Sequence, residues 1–383
     1  VFRPGNRLTL LENGAQYFPA LLAALEQAQR EIHLESYIFE PDAVGHAVLD
    51  ALEGAARRGV GVRLLLDGFG CRNFPADLVG RLERAGIQLL FFRPERGGLR
   101  VRRHRLRRMH RKLVVVDGRV ALVGGINVID DRNAPDHPDH RYDYAVRVEG
   151  PVVKDIWLAA RRLWWLVNWS RLGRRPGLEQ VPPGEVRAVG GQPAGFVTRD
   201  NLRHRRDIEA AYLAAVASAR EEILIANAYF LPGRRFRHAL IQAARRGVRV
   251  VLLMQGHTDH RLYLLAAQAL YGHFLDNGVE IHEYRASYMH AKVATVDEDW
   301  ATVGSSNIDP FSLVMAREGN LVVRDCRFTE GLRQSLHRAI RERSRPIQAR
   351  AWRRLPLYRR AASWLVYGMV RLAAGWLGYE RGA

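Results

Sequence analysis

The chain is poor in cysteine, short of acid and without a long apolar run. Its two cysteines, Cys71 and Cys326, exclude a disulfide framework, and neither has the neighbour spacing of a zinc site. Both are expected as reduced, partly buried thiols in a cytosolic compartment. Only 40 acidic residues face 59 lysines and arginines, a formal charge of +19. That imbalance points to a polyanionic partner, either nucleic acid or an anionic membrane surface. No internal stretch is long and apolar enough to span a bilayer. The opening VFRPGNRLTLL lacks the basic-then-apolar pattern of a signal peptide. What is present, 383 residues that are 48% apolar, suffices for two domains with real cores.

Against that background one pattern stands out because it occurs twice. His110-Arg111-Lys112 leads through Leu113–Val116 to Asp117, and His290-Ala291-Lys292 leads through Val293–Val296 to Asp297. Both read H-x-K-x-x-x-x-D. Each is followed by a small-residue turn ending in asparagine, Gly124-Gly125-Ile126-Asn127 and Gly304-Ser305-Ser306-Asn307, and each has an acid further on, Asp143 and Glu318. A single H-x-K on a strand is ordinarily a solvated surface pair; two with the same trailing residues indicate one bipartite phosphate-handling site.

The duplication extends beyond the motifs. Ala55–Leu66 matches Ala243–Met254, the segment from Ala85 recurs from Asn277, and SYIFEP ending at Pro41 has a looser echo in NAYFLP ending at Pro232. Each half then reads helix, strand, helix, strand, helix, strand, H-x-K strand, turn, strand. Phe18, Leu21, Leu22 and Leu25 recur at helical spacing, as do Ile208, Ala211, Tyr212 and Ala215. Val60–Leu66, Leu113–Val116, Val248–Leu253 and Val293–Val296 are short, β-branched runs bounded by Gly or Asp. Strands alternating with helices predict an α/β fold: two duplicated α/β/α halves around largely parallel or mixed sheet. The predicted organisation is a first half over 1–170, an exposed Pro/Gly/Arg-rich linker over 171–195, a second half over 196–345 and a basic, Trp-rich tail over 346–383.

The residue types suit phosphodiester chemistry. Residues i and i+2 of a strand share a face, so His110 and Lys112 point together, as do His290 and Lys292. Asp117 and Asp297 have the opposite parity and are expected to be structural. Lys112, Lys292, Asn127 and Asn307 offer donors to non-bridging phosphate oxygens as charge accumulates there. The sequence gives no carboxylate cluster to hold a metal in their place. A neutral imidazole can attack phosphorus, while a protonated one opposite serves the leaving alkoxide and then deprotonates the incoming hydroxyl. Asp143 and Glu318 are the candidates to orient the two rings. Ser305 and Ser306 either donate to phosphate, on one side only, or shape their turn. Gly124, Gly125 and Gly304 are expected to let the backbone turn and approach the ligand.

On these residues the chain resembles the phospholipase D superfamily with its HKD motif. The segments Leu10–Leu25, Met109–Val128, Tyr142–Val153, Ile225–Gly233, Ala243–Val250 and His290–Pro310 resemble bacterial cardiolipin synthases, of the branch without N-terminal membrane spans. The resemblance implies a site between the halves on a pseudo-two-fold axis. It also implies transfer of a phosphatidyl group through a phosphohistidine to phosphatidylglycerol, giving cardiolipin and glycerol, with neither metal nor nucleotide cofactor. By analogy His110 would be nucleophile and His290 acid/base; the sequence itself is too symmetric to separate them.

Superfamily members include hydrolases and nucleases, so the substrate class rests on other features. Trp164, Trp165 and Trp169 interleave with Arg161 and Arg162, as at a headgroup boundary. Arg102, Arg103, Arg105, Arg107 and Arg108 precede His110 and would suit anionic headgroups or a nucleic-acid backbone. From Ala361 to Tyr379 the tail is apolar except for Ser363 and Arg371, and it carries Trp364. It is expected to lie at an interface, the alternative being a helix packed on the protein itself. Leu262, Leu264, Leu265, Ala269 and Phe274 suggest one further apolar helix. Together these favour anionic phospholipids such as phosphatidylglycerol and cardiolipin over nucleic acid, and a peripheral or monotopic location on the cytoplasmic face of the inner membrane. Oligomeric state is not legible.

Overall fold

The computed structural model describes residues 1–94, 107–133, 140–172, 187–200, 203–256, 261–309, 316–354 and 356–376. The first half runs β1 (Arg3–Glu12), α1 (Asn13–Glu26), β2 (Glu31–Ser36), α2 (Ala43–Arg57), β3 (Gly61–Asp67), α3 (Ala76–Arg84), β4 (Gln88–Phe92), β5 (Arg108–Met109), β6 (Lys112–Val116), β7 (Val120–Gly124), β8 (Tyr144–Glu149) and α4 (Val153–Leu172). The second repeats it: β9 (Gln192–Arg199), α5 (Asp207–Ser218), β10 (Glu222–Asn227), α6 (Arg234–Arg245), β11 (Arg249–Gln255), α7 (Arg261–Gln268), α8 (Tyr271–Leu275), β12 (Glu280–Tyr284), β13 (Lys292–Val296), β14 (Trp300–Gly304) and β15 (Ala316–Arg324). It closes with α9 (Cys326–Arg343), β16 (Ser344–Pro346), α10 (Ala349–Arg353) and α11 (Leu357–Trp376).

The strands form one mixed sheet in the order β16-β12-β11-β10-β13-β14-β15-β9-β1-β8-β7-β6-β2-β3-β4. Read outward from the β9–β1 seam, each half lists the same seven strands, the second adding β16 at its edge, so the duplication appears in space as a pseudo-two-fold. β2, β3 and β4 are parallel, as are β10, β11 and β12, and each H-x-K strand enters antiparallel beside β2 or β10. Helices α1–α3 cover one face of the first half, with a core of Leu21, Leu49, Leu64 and Val114. Helices α5–α8 and α11 cover the matching face of the second. A shared core joins the halves, where Leu113 and Val123 meet Val251 and Val293 together with Trp157 of α4 and Leu332 of α9.

The repeated AARRGV segment has a physical explanation. Its second arginine reaches back to cap the preceding helix: Arg58 donates to the carbonyls of Leu25 and Glu26, and Arg246 to that of Val216. The glycine that follows, at φ 87° or 91°, then turns the chain into the buried strand.

Several expectations need correction. The seam strands β1 and β9 were not among the predicted elements. Gln192–Gly195, assigned to the linker, opens β9 and pairs with both β1 and β15; proline and glycine in QPAGFVTR mask a strand that is held by pairing with distant segments. Of the rest of the linker, 171–172 end α4, 187–191 lead into β9, and 173–186 lie outside the described residues. The apolar pattern around Leu262–Phe274 is two short helices, α7 and α8, with Leu262 exposed and Phe274 buried. Cys71 is buried but Cys326 is exposed.

Candidate active site

Both motif histidines sit where their strands meet the opposite half. His110 N–H donates to the Arg317 carbonyl at 2.9 Å, and His290 N–H to the Tyr142 carbonyl at 2.8 Å. These backbone bonds belong to short pairings that cross the pseudo-axis, Arg108–Met109 with Ala316–Arg317 and Met289 with Tyr142. They bring each histidine to the acid of the other half. His110 Nδ1 lies 3.1 Å from both Glu318 oxygens, and His290 Nδ1 lies 2.7 Å from Asp143 Oδ2. Sequence spacing pairs each motif with the acid downstream of it; the fold exchanges them. In either pair the acid holds Nδ1 and leaves Nε2 for chemistry.

Lys112 and Lys292 are buried, and each donates to the carbonyl of its own motif histidine, Lys112 at 2.8 Å. Burial and mutual repulsion push Lys112 well below its ordinary pKa, and burial brings Lys292 to about 8 despite Asp143 and Glu318. Asn127 accepts from Ile38 N–H at 3.1 Å, whereas Asn307 Oδ1 is buried with no partner among the described residues.

The two pairs differ electrostatically. Burial would raise Glu318, but His110, Lys112 and a 2.5 Å hydrogen bond from Ser305 Oγ outweigh it, and its pKa falls. Asp143 has no such hydroxyl; burial wins and its pKa rises to about 7, against Lys292 and the Tyr144 N–H. Burial also lowers both imidazoles, His290 further because Lys292, Lys112, His110 and Arg141 add to it.

The turn residues explain part of this. Gly125 and Ser305 occupy equivalent places beside the acid of their own half. A Cβ at Gly125 would come within 2.3 Å of Asp143 Oδ1, so only glycine leaves room for that carboxylate. Ser305 instead donates to Glu318, which commits its hydroxyl to the acid, and Ser306 Oγ donates to the Asn307 carbonyl at 3.3 Å. A Cβ at Gly304 would meet the Asn320 side chain at 2.3 Å, and one at Gly124 the Tyr144 carbonyl at 2.4 Å. Asp117 and Asp297 lie at the far end of the H-x-K strands, roughly 20 Å from the histidines at about 3.3 Å per residue. Each accepts from three successive backbone N–H groups, Gln29–Glu31 or Arg220–Glu222, clamping the start of β2 or β10.

Other neighbours carry no motif signal. The Tyr37 ring meets His110 edge-on at 4.8 Å, with Lys112 above it at 5.2 Å. Tyr288 stacks near His290 at 6.3 Å, and Arg141 lies over the Tyr288 ring at 5.4 Å. Arg111, between His110 and Lys112, is buried in a bidentate pair with Glu35. Of the predicted headgroup residues, Arg107 and Arg108 are half-buried beside His110; Arg102, Arg103 and Arg105 lie outside the described residues. Trp165 stacks on Trp169 at 6.1 Å, Trp164 packs against the Leu163–Val167 cluster, and Trp364 is exposed on α11. Val366 and Tyr367 on the other face of α11 are buried in the second-half core. Among the described residues no helix is long and apolar enough to cross a membrane, and no group of three or more His, Cys, Asp or Glu is placed to hold a metal.

A duplicated sheet presenting two H-x-K strands to one centre defines a phospholipase D-like protein. The family model described as "Cardiolipin synthase, PLD-like domain" matches residues 21–164 and 212–340, and the chain belongs to that family. It is 42% identical over 346 residues to cardiolipin synthase B of Escherichia coli K12, covering 88% of this chain and 81% of that protein. It is 28% identical over 355 residues to cardiolipin synthase 1 of Staphylococcus epidermidis, covering 92% and 71%. Among solved structures, phosphatidylserine synthase of Haemophilus influenzae shares the fold, with a TM-score of 0.70 at 14% identity over 97% of this chain and 95% of that one.

Proposed function

We propose that this protein is a cardiolipin synthase, a phosphatidyltransferase that joins two phosphatidylglycerol molecules. The carrying observation is the crossed pairing: two imidazoles, each held at Nδ1 by the other half's acid, beside two buried lysines. In the first step His110 Nε2 attacks the donor phosphorus. The bond to the glycerol headgroup breaks, and His290 Nε2 gives that alkoxide its proton. In the second step the acceptor's terminal hydroxyl passes its proton to His290 and attacks phosphorus. The P–N bond breaks and its electron pair returns to His110. Lys112, Lys292, Asn127 and Asn307 serve the non-bridging oxygens throughout, and the negative phosphodiester offsets the lysines that depress His290 in the free site.

The assignment of His110 as nucleophile is supported by Glu318, whose anionic form keeps the proton on Nδ1 and the lone pair on Nε2. Asp117 and Asp297 support the strands rather than the chemistry. The protein acts at a membrane, in this reading the cytoplasmic face of the inner membrane, without an added metal. α11 fits that location: it packs by Val366 and Tyr367 while exposing Trp364, Leu365, Met369 and Leu372.

Purified protein with phosphatidylglycerol vesicles and EDTA should give cardiolipin and free glycerol by mass spectrometry, and His110→Ala should give neither. Phosphatidic acid as the main product would make the protein a hydrolase. Inactivity with EDTA that is reversed by added metal would overturn the metal-free mechanism.

A further inference from the structure

A synthase must do more than expose a phosphohistidine, because water and free glycerol compete with the lipid acceptor. Besides its acyl chains, the acceptor differs from both in carrying its own phosphodiester, a three-carbon bridge away from the attacking hydroxyl. A cation at that place would favour synthesis over hydrolysis. Chemistry decides on which side to look. The leaving headgroup departs opposite the nucleophile, so the acceptor enters on the His290 side.

That side holds an arginine with no counterpart in the repeat. Arg141 stands two residues before Asp143, and the equivalent place before Glu318 is Ala316. Its guanidinium lies over Tyr288 at 5.4 Å, and the Tyr288 ring stacks near His290. Nη2 is anchored on the Asn133 carbonyl at 2.9 Å, while Nε is buried with no hydrogen-bond partner among the described residues. Beside it the hydroxyls of Tyr288 and Tyr229 meet at 2.9 Å, and Tyr263 packs edge-on against Tyr229 at 5.3 Å. A guanidinium and neighbouring phenol hydroxyls supply the kind of donors that a phosphodiester takes. Arg141 also contributes to the lowered pKa of His290, which places its charge within reach of the ring.

The His110 side is also cationic. Arg93, Arg107, Arg108 and Arg317 cluster there, and Arg93 Nη1 is likewise buried without a partner among the described residues. In-line displacement puts that cluster behind the nucleophile, away from the entering hydroxyl.

Resting on the synthase reading, we propose that Arg141, with the hydroxyls of Tyr229 and Tyr288, binds the phosphodiester of the incoming phosphatidylglycerol and so selects a lipid acceptor over water or glycerol. In the transfer step the acceptor oxygen forms its bond to phosphorus as the P–N bond breaks, and the hydroxyl proton passes to His290; Arg141 holds the second phosphate and exchanges no proton.

The test follows two products in one reaction. Full-length protein is given phosphatidylglycerol in mixed micelles with isotope-labelled glycerol, and both cardiolipin and label exchanged into phosphatidylglycerol are measured. In Arg141→Gln the ratio of cardiolipin to exchange should fall about tenfold, corresponding to about 1.4 kcal/mol. Arg141→Lys should recover part of it, and Arg93→Gln should leave the ratio as in the wild type. An unaltered ratio in Arg141→Gln, including an equal loss of both products, overturns the proposal. So does a fall in Arg93→Gln instead, which would bring the acceptor in from the His110 side. Should Arg141→Gln give too little of either product, the ratio in Arg141→Lys decides on the same terms. Wild-type protein that exchanges glycerol but makes no cardiolipin overturns the synthase reading itself.

Discussion

Aligned through the sheet, the two halves have the same skeleton and different interiors. On the face of β2 beneath α4 lie His33 and Glu35; their equivalents on β10 are Leu224 and Ala226. Arg63 on β3 is matched by Val251 on β11, and Arg111 beside the first histidine by Ala291 beside the second. The first half thus carries a partly buried polar network, with Glu31 taking Arg63 at 2.9 Å and Trp157 Nε1 at 2.5 Å; the second keeps the matching acid, Glu222, paired with Arg249 and with His337 of α9, but packs aliphatic side chains in the places of His33, Glu35 and Arg63. The acids beside the two rings differ as well: His110, Lys112 and the Ser305 hydroxyl hold Glu318 low against burial, whereas burial raises Asp143. Duplication supplied a symmetric frame, and a two-step transfer needs an asymmetric site: one ring to hold the phosphoryl group and another to move protons.

The strongest way to break this comparison is to remove each histidine in turn. His110→Ala should abolish cardiolipin formation, and His290→Ala should lower it roughly a hundred- to ten-thousand-fold, the usual contribution of a positioned acid/base. They should separate on a donor with a good leaving group. His290→Ala should accumulate acid-labile phosphohistidine at His110, and His110→Ala should form none. Label found only at His290 would reverse the assigned roles.

The next effect concerns stability. Arg111 and Glu35 form a bidentate pair with side chains only 7% and 3% exposed. Arg111→Ala leaves a buried, unpartnered carboxylate and should cost about 3–5 kcal/mol in denaturant unfolding. The double variant Glu35→Ala/Arg111→Ala reproduces the Ala226–Ala291 arrangement of the second half and should recover part of that loss. A double variant as unstable as the sum of the singles would show that the pair is not an isolated unit.

Much of this was legible in the sequence because duplication repeats chemistry and periodicity together. The H-x-K strands, the helices around Phe18–Leu25 and Ile208–Ala215 and the strand runs from Val60 and Val248 carry local patterns, and the structure shifts their ends by a residue or so. The seam was not legible. β9 begins with Gln-Pro-Ala-Gly, and what makes it a strand is pairing with β1 and β15 far away in sequence. The crossed histidine–acid pairs were hidden for the same reason: spacing gives equivalence of Asp143 and Glu318 but not which ring each one reaches. Arg141, Tyr37 and Tyr288 have no motif of their own. The nearest available signal was the mismatch between the halves, Arg141 against Ala316.

The smallest and most discriminating effect is in pH dependence, where the two acids should act with opposite sign. Asp143 is raised from an ordinary 3.8 to about 7, so between those values the folded protein binds a proton that the unfolded chain does not. Its contribution to stability is then full below about 4 and lost as pH rises through about 7. Glu318 is lowered from 4.5, so its contribution is present above 4.5 and lost only as pH falls through its folded value. Denaturant midpoints at pH 5, 6 and 7 can separate them. Relative to Asp143→Asn, the wild type should lose stability with rising pH, by up to about 1.4 kcal/mol per unit. Relative to Glu318→Gln, the difference should stay level over the same range. If the wild type and Asp143→Asn keep a constant gap, Asp143 is ionised across the range. The two histidine–acid pairs are then electrostatically alike, and the division of labour must come from what surrounds them, Arg141 on one side and the Arg93–Arg317 cluster on the other.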